Sequence, residues 1–495
     1  MAPTRPEADV TTDHQTEMLI IGAGFSGLLM AIEARRRGVK EITILERAGD
    51  VGGTWRENTY PGVACDVPSH LYSMAGHPNP NWTRAYAGGA EIQAYLQSVA
   101  RREGLYELCR FHCAMTRARW QNGRWQVETS DGHRWSTRFL VSAIGALHVP
   151  LVPDIPGRDA FPGPAFHSAE WDHAARIAGK RVAVVGTGAS AVQFVPEIAG
   201  TAAHVTVFQR TAPYVLPRPD GPIPERVRRL YRAVPPLRQL RRALIYAIYE
   251  MRHAVFRGQP HAVTFAMKMW RKGLERAITD PHMRARLTPD YRIGCKRILS
   301  SNDWYPTLAR DDVTLVASGV DRIEGRTLVA QDGRRVDADV LIWGTGFRVT
   351  DAAERLDVTG AGGRTLREAW SGGMQAHLGT AIAGFPNLFL LLGPHTGLGH
   401  NSVVLMIEAQ VGHVGRLLAD MERKGLTAIA PCADAQAGFE AEMADRLAGS
   451  VWQDGGCRSW YQDAAGRNPT IWPGTVGAFR RRMKRAGLEQ YEGIE

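Results

Sequence analysis

The chain has 495 residues, of which 44% are hydrophobic and 22% are charged, and its formal net charge at neutral pH is +10. This composition is typical of a globular protein and excludes a mainly disordered chain. At roughly 100–200 residues per domain, the length predicts two or three domains. No apolar run approaches the ~20 residues that a membrane-spanning helix needs, so we expect no transmembrane segment.

The N-terminal stretch MAPTRPEADVTTDHQTE is polar and lacks the apolar region of a secretory signal peptide. We therefore expect a loose tail there, a cytoplasmic protein and cysteines that stay reduced. The chain's cysteines include no Cys-x-x-Cys pair, which disfavours a zinc ribbon and a thioredoxin-like redox pair. Packing explains Cys109 and Cys113 better than metal binding does, and no metal site is predicted.

The positive charge includes two arginine-rich clusters, at Arg226–Arg242 and Arg480–Arg485. A basic chain can bind nucleic acid or an anionic surface. Neither cluster is accompanied by a recognisable nucleic-acid module, so we expect solvated helix faces and no nucleic-acid partner. Binding of a phosphorylated cofactor is a second function that positive charge can serve.

The first predicted unit is a strand, a glycine-rich turn, a helix and a second strand. The strand Glu17–Ile21 is followed directly by Gly22-Ala23-Gly24-Phe25-Ser26-Gly27, and the helix after it should end at Gly38. The second strand, Ile42–Leu45, ends in Glu46. This order is typical of dinucleotide binding, with the pyrophosphate on the helix N-terminus and the acid on a ribose.

A second unit of the same kind begins at the strand Val182–Val185. Its turn is Gly186-Thr187-Gly188-Ala189-Ser190-Ala191, its helix should run to about Gly200, and the strand His204–Phe208 is followed by Arg210 and Thr211. Because an arginine binds a 2′-phosphate that a carboxylate would repel, this unit should take NADP and the first unit an NAD- or FAD-type ribose. The alternative for Arg210 is a solvated surface arginine.

Two dinucleotide units in one chain predict hydride transfer from a nicotinamide to a flavin. The later apolar strand and glycine turn at 339–347 should rejoin the first domain. The predicted fold is therefore α/β, with two Rossmann-type domains, the second inserted in the first, and a helical insertion at about 217–289. The predicted boundaries are 1–150 and 336–495 for the flavin domain and 151–335 for the nicotinamide domain.

Three further motifs carry a resemblance to a known family. The linker Phe161-x-Gly163-x-x-x-His167-x-x-x-Trp171-Asp172 is the first; the others are Gly52-Gly53-Thr54-Trp55 with Tyr60-Pro61-Gly62 and Asp66, and Cys295-Lys296-Arg297. With the two glycine turns, they resemble the class B flavoprotein monooxygenases, most closely the type I Baeyer–Villiger monooxygenases. The resemblance implies FAD and NADPH as cofactors, and a ketone and O2 as small-molecule partners. The implied reaction yields an ester or lactone through a C4a-peroxyflavin.

The resemblance also implies roles for individual residues. Arg297 is the implied catalytic cation and Asp66 the carboxylate that orients it, while Lys296 joins Arg210 and Thr211 at the 2′-phosphate. The implied FAD-binding residues are Gly22, Gly24, Phe25, Ser26, Gly27, Glu46, Gly53, Thr54, Trp55, Asp66 and Tyr72. The implied NADPH-binding residues are Gly186, Thr187, Gly188, Ala189, Ser190, Arg210, Thr211, Lys296 and Arg297. His167 and Trp171 should couple the domains, with simple packing as the alternative.

Other functions stay open at this point. An S- or N-oxygenating flavin monooxygenase shares the same cofactors and is the main alternative. A pyridine nucleotide disulfide reductase needs a redox cysteine pair near the flavin, and no such pair is evident. A non-catalytic flavoprotein would not need Arg297, Asp66, Lys296 and Arg210 together. The stretches Gly393–Ser402 and Cys457–Tyr461 are expected near the flavin and the substrate pocket, respectively.

Overall fold

The first of two large sheets is built from both ends of the chain. The computed structural model describes residues 13–351 and 356–494. The order across the first sheet is Asp357–Thr359, Met115–Gln121, Arg124–Thr129, Arg134–Ser142, Asp13–Ile21, Ile42–Leu45 and Cys109–Arg110, with Leu388–Leu390 also paired to Arg134–Ser142. The central strands are parallel and their side chains are buried, as expected of a sheet covered on both faces.

The second sheet has five strands, and all of them are parallel. Its order is Val313–Val316, His204–Phe208, Arg181–Val185, Val340–Trp343 and Ala165–His167. These strands lie between the two parts of the chain that form the first sheet. The predicted α/β fold, with one nucleotide-binding unit inserted in the other, is therefore confirmed.

One predicted connection is wrong. The strand Val340–Trp343 was expected to rejoin the first sheet, but it pairs with Arg181–Val185 on one side and Ala165–His167 on the other. The chain returns to the first sheet only at Asp357–Thr359 and Leu388–Leu390. A short buried strand carries no mark of which sheet it joins, and here backbone pairing on both sides decides it.

Helices cover the sheets and form most of the predicted insertion. The α-helices are Phe25–Arg36, Thr54–Glu57, Gly89–Arg102, Ala189–Ile198, Glu225–Ala233, Pro235–Met251, His253–Phe256, Pro260–Ala277, Pro281–Arg286, Trp304–Leu308, Leu366–Ala369, Val403–Lys424, Ala433–Leu447, Val451–Asp454 and Val476–Arg485. Small antiparallel pairings join Val320–Glu324, Thr327–Ala330 and Arg335–Asp337, and also Ala428–Pro431 and Tyr491–Ile494. A parallel pair joins Val215–Leu216 and Leu299–Ser300.

Within residues 13–351 and 356–494, no helix is both long and apolar enough to cross a membrane.

The ends of the first unit follow the predicted pattern with one correction. The helix Phe25–Arg36 is followed by Gly38 with φ of +89°, the left-handed conformation expected after a helix C-terminus. The first strand begins at Asp13, so the last residues of the predicted tail belong to a strand. Residues 1–12 of that tail lie outside the described residues.

Candidate active site

The first glycine turn opens the N-terminus of the helix Phe25–Arg36. Gly22 has φ of +107°, and a Cβ there would lie 2.7 Å from the carbonyl oxygen of Ala143. A Cβ at Gly27 would lie 1.9 Å from the carbonyl oxygen of Gly22. No side chain caps the helix and its first turn holds no acidic residue. The first backbone N–H groups of the helix therefore remain available to an anion.

The second glycine turn repeats this geometry at the helix Ala189–Ile198. Gly186 also has φ of +107°, and a Cβ there would lie 2.5 Å from the carbonyl oxygen of Gly344. This helix likewise has no side-chain cap and no acid in its first turn. Ala191 replaces the third glycine and fits because its neighbour Gly344 has no side chain; a Cβ on Gly344 would lie 3.3 Å from the Cβ of Ala191.

The carboxylate of Glu46 lies against the first glycine turn. Its Oε2 accepts the N–H of Ala23 at 2.9 Å, and its Oε1 accepts the N–H of Ala48 at 3.0 Å. Arg56 donates to the same Oε1 at 3.2 Å. Glu46 is therefore fixed at the end of its strand, as predicted, and Arg56 is a partner that the sequence motifs did not reveal.

Aromatic residues predicted at the flavin site are brought together beside this turn. Trp55 Nε1 donates to the hydroxyl of Tyr72 at 3.2 Å, and the Tyr72 ring meets Phe25 edge-on with centroids 5.2 Å apart. A Cβ at Gly53 would lie 3.2 Å from the Cα of Gly24, so the loop that carries Trp55 lies directly on the glycine turn.

Two cations lie close together beyond the second glycine turn. Arg210 is exposed at the end of its strand and forms no salt bridge among the described residues. Burial, and next the nearby charge of Arg210, lower the pKa of Lys296. Thr187 in the turn donates to the carbonyl of Thr211 at 3.2 Å. Because like charges this close repel each other, the arrangement favours an anion between them.

Arg297 and Asp66, 231 residues apart, form the ion pair that the sequence predicted. Nε and Nη2 of Arg297 donate to Oδ2 of Asp66 at 2.7 and 2.6 Å. Nη1 reaches the carbonyl of Leu398 at 3.5 Å. The charge of Asp66 raises the pKa of Arg297, which therefore stays positive at every pH at which the protein is folded. The side chains of Arg297 and Asp66 are 28% and 31% exposed, so both can be reached from solvent.

A disulfide bond between Cys295 and Cys457 corrects the prediction that all cysteines are reduced. It joins the loop that carries Arg297 to a C-terminal segment that brings Tyr461 close to the guanidinium. Burial raises the pKa of Tyr461, and the positive charge of Arg297 opposes this effect. Tyr461 is completely buried. The C-terminal stretch was expected near the pocket, but this disulfide was not predicted.

The remaining cysteines and the loop histidines have other surroundings. Cys109 and Cys113 are free and buried in hydrophobic clusters, so the packing interpretation is confirmed. In the loop Gly393–Ser402, His395 lies 3.2 Å from a carboxylate oxygen of Glu440, and His400 lies 3.5 Å from one of Glu250. In the part of the chain that the structure describes, no group of three or more His, Cys, Asp or Glu could hold a metal ion.

The linker residues pack at the edge of the second sheet. His167 ends the strand paired with Val340–Trp343, and burial lowers its pKa to about 4, so it is neutral at physiological pH. Trp171 packs on Phe194 with ring centroids 5.2 Å apart. Phe161 is buried against the same sheet, and Gly163 leaves no room for a side chain next to the Asp339 carbonyl oxygen. These residues lie outside both glycine turns.

Gln193 connects the second unit to the loop that carries Asp66. It lies on the helix Ala189–Ile198, its Oε1 accepts the hydroxyl of Tyr60 at 3.0 Å, and its Nε2 donates to the carbonyl of Ala64 at 2.9 Å. The N–H of Ala64 donates back to the same Oε1 at 3.3 Å. The motifs gave no sign of this contact, because Gln193 belongs to no part of the glycine fingerprint.

Comparison with known proteins identifies the family. The sequence model of the pyridine nucleotide-disulphide oxidoreductase family matches residues 19–220, the stretch that holds both glycine turns. A Baeyer–Villiger monooxygenase of Streptomyces coelicolor is 48% identical over 482 residues, covering 97% of this chain and 93% of that protein. The chain belongs to the Baeyer–Villiger monooxygenase family.

Solved structures agree with this Baeyer–Villiger assignment. An oxidized steroid monooxygenase bound to NADP is 31% identical and has a TM-score of 0.86, covering 97% of this chain and 100% of that chain. A complex of OTEMO with FAD and NADP is 26% identical and has a TM-score of 0.85, covering 97% of this chain and 99% of that chain. The predicted family and fold are confirmed, and the chain is a monooxygenase.

The residues present in this Baeyer–Villiger monooxygenase fit two dinucleotides. Two helix N-termini are uncapped and free of acidic residues in their first turns. Beyond the second of them lie Arg210 and Lys296, while the acid Glu46 marks the first. This asymmetry matches one cofactor with a 2′-phosphate and one without.

Proposed function

We propose that the chain is an FAD-containing, NADPH-dependent enzyme that inserts one oxygen atom of O2 next to a ketone carbonyl, giving an ester or a lactone. The observation that carries the proposal is the pair of Arg297 and Asp66, in which two hydrogen bonds hold a permanently charged guanidinium. Family membership supports the reaction class, and the pair supplies the fixed cation that this reaction class needs.

FAD is assigned to the first glycine turn and NADPH to the second. Relatives of known structure are complexes with FAD and NADP, and the two open helix N-termini of this chain suit their pyrophosphates. Glu46 would accept a ribose hydroxyl of FAD. Arg210 and Lys296 would hold the 2′-phosphate of NADPH, and the anion would relieve the repulsion between these two cations.

When bound, the two cofactors would supply the redox chemistry, with NADPH as the source of a hydride and FAD as the site of O2 activation. Arg297 would stabilise the negative charge that develops on the carbonyl oxygen of the ketone. An arginine suits this task because it holds its charge and donates no proton under ordinary conditions. Asp66 is a positioning residue: it fixes the orientation of the guanidinium by accepting two hydrogen bonds from Arg297.

The domain assignment is part of the same proposal. Residues 1–150 and the C-terminal part would bind FAD, and the segment from 151 would bind NADPH. The strand Val340–Trp343 extends that NADPH-binding segment slightly beyond the predicted residue 335. We place the enzyme in the cytoplasm, where NADPH is available, and fractionation of the native host with antibody detection tests this location.

The decisive experiment incubates the purified chain with NADPH, O2 and a panel of cyclic, linear and aryl ketones. The expected product carries one added oxygen atom, and isotopically labelled O2 should place its label in the ester. A thioether and a tertiary amine in the same panel provide the comparison with heteroatom oxygenation. If these two were oxygenated and no ketone were, the proposed reaction would be wrong.

A further inference from the structure

Exposed apolar side chains are concentrated on one part of the molecule. Among the described residues, twelve large hydrophobic side chains are exposed, and nine of them lie within residues 230–269. This region belongs to the helical insertion, which we define as the helices from Glu225 to Ala277. Single exposed apolar residues are common on protein surfaces, but such a concentration marks an interaction surface.

The helix Pro235–Met251 carries the centre of this surface. Five of its apolar side chains are exposed, by between 37% and 68%, and they follow the helical spacing of three and four residues. They are Leu237, Leu240, Leu244, Ile248 and Met251, called the apolar stripe below. Residues at this spacing lie on a single face, so the helix presents one continuous hydrophobic edge to solvent.

The opposite face of this helix is fastened to the body of the protein. Arg242 donates through Nη1 to the carbonyls of His70 at 2.8 Å and Ser73 at 2.9 Å. Glu250 accepts the N–H of Gly477 at 2.8 Å and the side-chain amide of Asn401 at 3.0 Å. These bonds hold the buried side of the helix in place, so the apolar stripe cannot rotate inward.

The insertion is also strongly basic. Residues 225–277 contain thirteen Arg and Lys against three Glu, a surplus that equals the net charge of the entire chain. Several of these cations make no salt bridge among the described residues. They are Arg226, Arg238, Arg241, Arg257, Lys268, Arg271, Lys272 and Arg276. The partner of this surface should therefore combine an apolar interior with a negatively charged boundary.

We propose that the helix Pro235–Met251 docks this enzyme on an anionic lipid surface, lying in the plane of the membrane with the apolar stripe among the acyl chains. At 17 residues the helix is too short to cross a bilayer, but its apolar face and basic flanks suit the boundary between headgroups and acyl chains. A second copy of the chain is a poorer partner, because it would bring the same positive surplus to the contact.

Vesicle flotation with the full-length holoenzyme tests the proposal. The vesicles are phosphatidylcholine alone, or phosphatidylcholine with about one third phosphatidylglycerol. The protein should float with the anionic vesicles and remain behind with the neutral ones. About 0.5 M salt should release much of it, since that concentration screens the headgroup charge.

Two sets of variants separate the contribution of the apolar stripe to vesicle binding from that of the basic residues. Leu240→Ser, Leu244→Ser and Ile248→Ser combined should lower the bound fraction at least tenfold. Arg226→Ser and Arg241→Ser should each lower the partition coefficient about fivefold, because a basic residue near an anionic surface contributes ~1 kcal/mol. Leu147→Ser combined with Leu151→Ser is the matched control, since these exposed leucines lie outside the insertion and should leave binding unchanged.

Every substituted side chain in the stripe is exposed, so the melting temperature and NADPH oxidation should match those of the unchanged protein. Failure of the unchanged protein to bind anionic vesicles would overturn the proposal, as would a triple variant that floats equally well. A dimer in sedimentation that the triple variant dissociates, without vesicle binding, would assign the stripe to a second copy instead. Loss of oxygenation without loss of flotation would affect only the proposed function.

Discussion

Replacing Asp66 with alanine should slow oxygenation through Arg297 while FAD stays bound. Arg297 makes three hydrogen bonds to two acceptors in the structure, and two of the three bonds go to the same carboxylate oxygen of Asp66. The third, to the carbonyl of Leu398, is long at 3.5 Å. The variant therefore leaves the guanidinium with one weak bond. The side chain keeps its charge but is no longer held in a fixed orientation.

The expected magnitudes follow from these contacts. A hydrogen bond to a charged group contributes about 1.5–3 kcal/mol, and the partial exposure of both side chains argues for the lower end. The two bonds share one acceptor oxygen and are counted as a single charge-assisted interaction. Since about 1.4 kcal/mol corresponds to a factor of ten, Asp66→Ala should slow oxygenation roughly tenfold. Arg297→Ala removes the cation itself and should slow oxygenation about 10²–10³-fold. Asp66→Asn keeps an acceptor oxygen and should fall between the Asp66→Ala variant and the unchanged protein.

Stopped-flow kinetics separate the two half-reactions. Flavin reduction by NADPH should keep its rate in these variants, while ester yield falls and hydrogen peroxide yield rises. Asp312→Ala is the matched control, because Asp312 also accepts two bonds from an arginine, at 2.7 and 2.8 Å, but directly precedes the second-sheet strand Val313–Val316, away from the glycine turns. Normal ester yield in Arg297→Ala, or equal losses in both half-reactions, would refute the assigned role.

Four further outcomes are expected. Arg210→Ala should lower kcat/KM for NADPH about 10- to 150-fold and leave NADH almost unchanged, because only the 2′-phosphate contact is lost; equal losses in steady-state assays would exclude this contact. Trp171→Ala should lower turnover while the flavin absorbance of the purified protein persists, and loss of flavin would favour the packing role. Burial works to raise the pKa of Glu250, but hydrogen bonds led by His400 lower it to about 2 from 4.5, so its contribution of about 3 kcal/mol is present above roughly pH 5 and is lost as the pH falls toward 2. Denaturant titrations should show Glu250→Gln less stable than the unchanged protein at pH 7 and little different from it near pH 2. Thiol titration of the unfolded chain should find four free thiols before reduction and six after it, because Cys295 and Cys457 are bonded; six before reduction would contradict the bond.

The glycine turns could be predicted because their signals are local. Gly22 and Gly186 each follow an apolar strand, precede a helix and have the same φ of +107°. Strand, turn and helix are adjacent in sequence, so residue type and spacing suffice to predict the geometry. Glu46 at the end of one strand and Arg210 beyond the end of the other could be predicted for the same reason.

Features that depend on contacts distant in sequence could not be predicted. Cys295 and Cys457 are 162 residues apart, and nothing in the spacing of the cysteines marks them as partners. The strand Val340–Trp343 is apolar throughout and suits either sheet, so only its neighbours in the folded protein decide its place. The Arg297 and Asp66 pair is equally distant, and it was predicted only because the motifs around both residues resemble those of a family.

The contact made by Gln193 links the second glycine turn to the loop that carries Asp66. This side chain lies on the helix Ala189–Ile198, whose N-terminus is assigned to the coenzyme, and it bonds both the N–H and the carbonyl of Ala64, two residues before Asp66. A helix is stiff over ten residues, so a shift of its N-terminus displaces Gln193 as well. Any displacement of that N-terminus would therefore reach the backbone just before Asp66 through one side chain, so Gln193 is the direct link between the coenzyme turn and the loop that holds Arg297 in place.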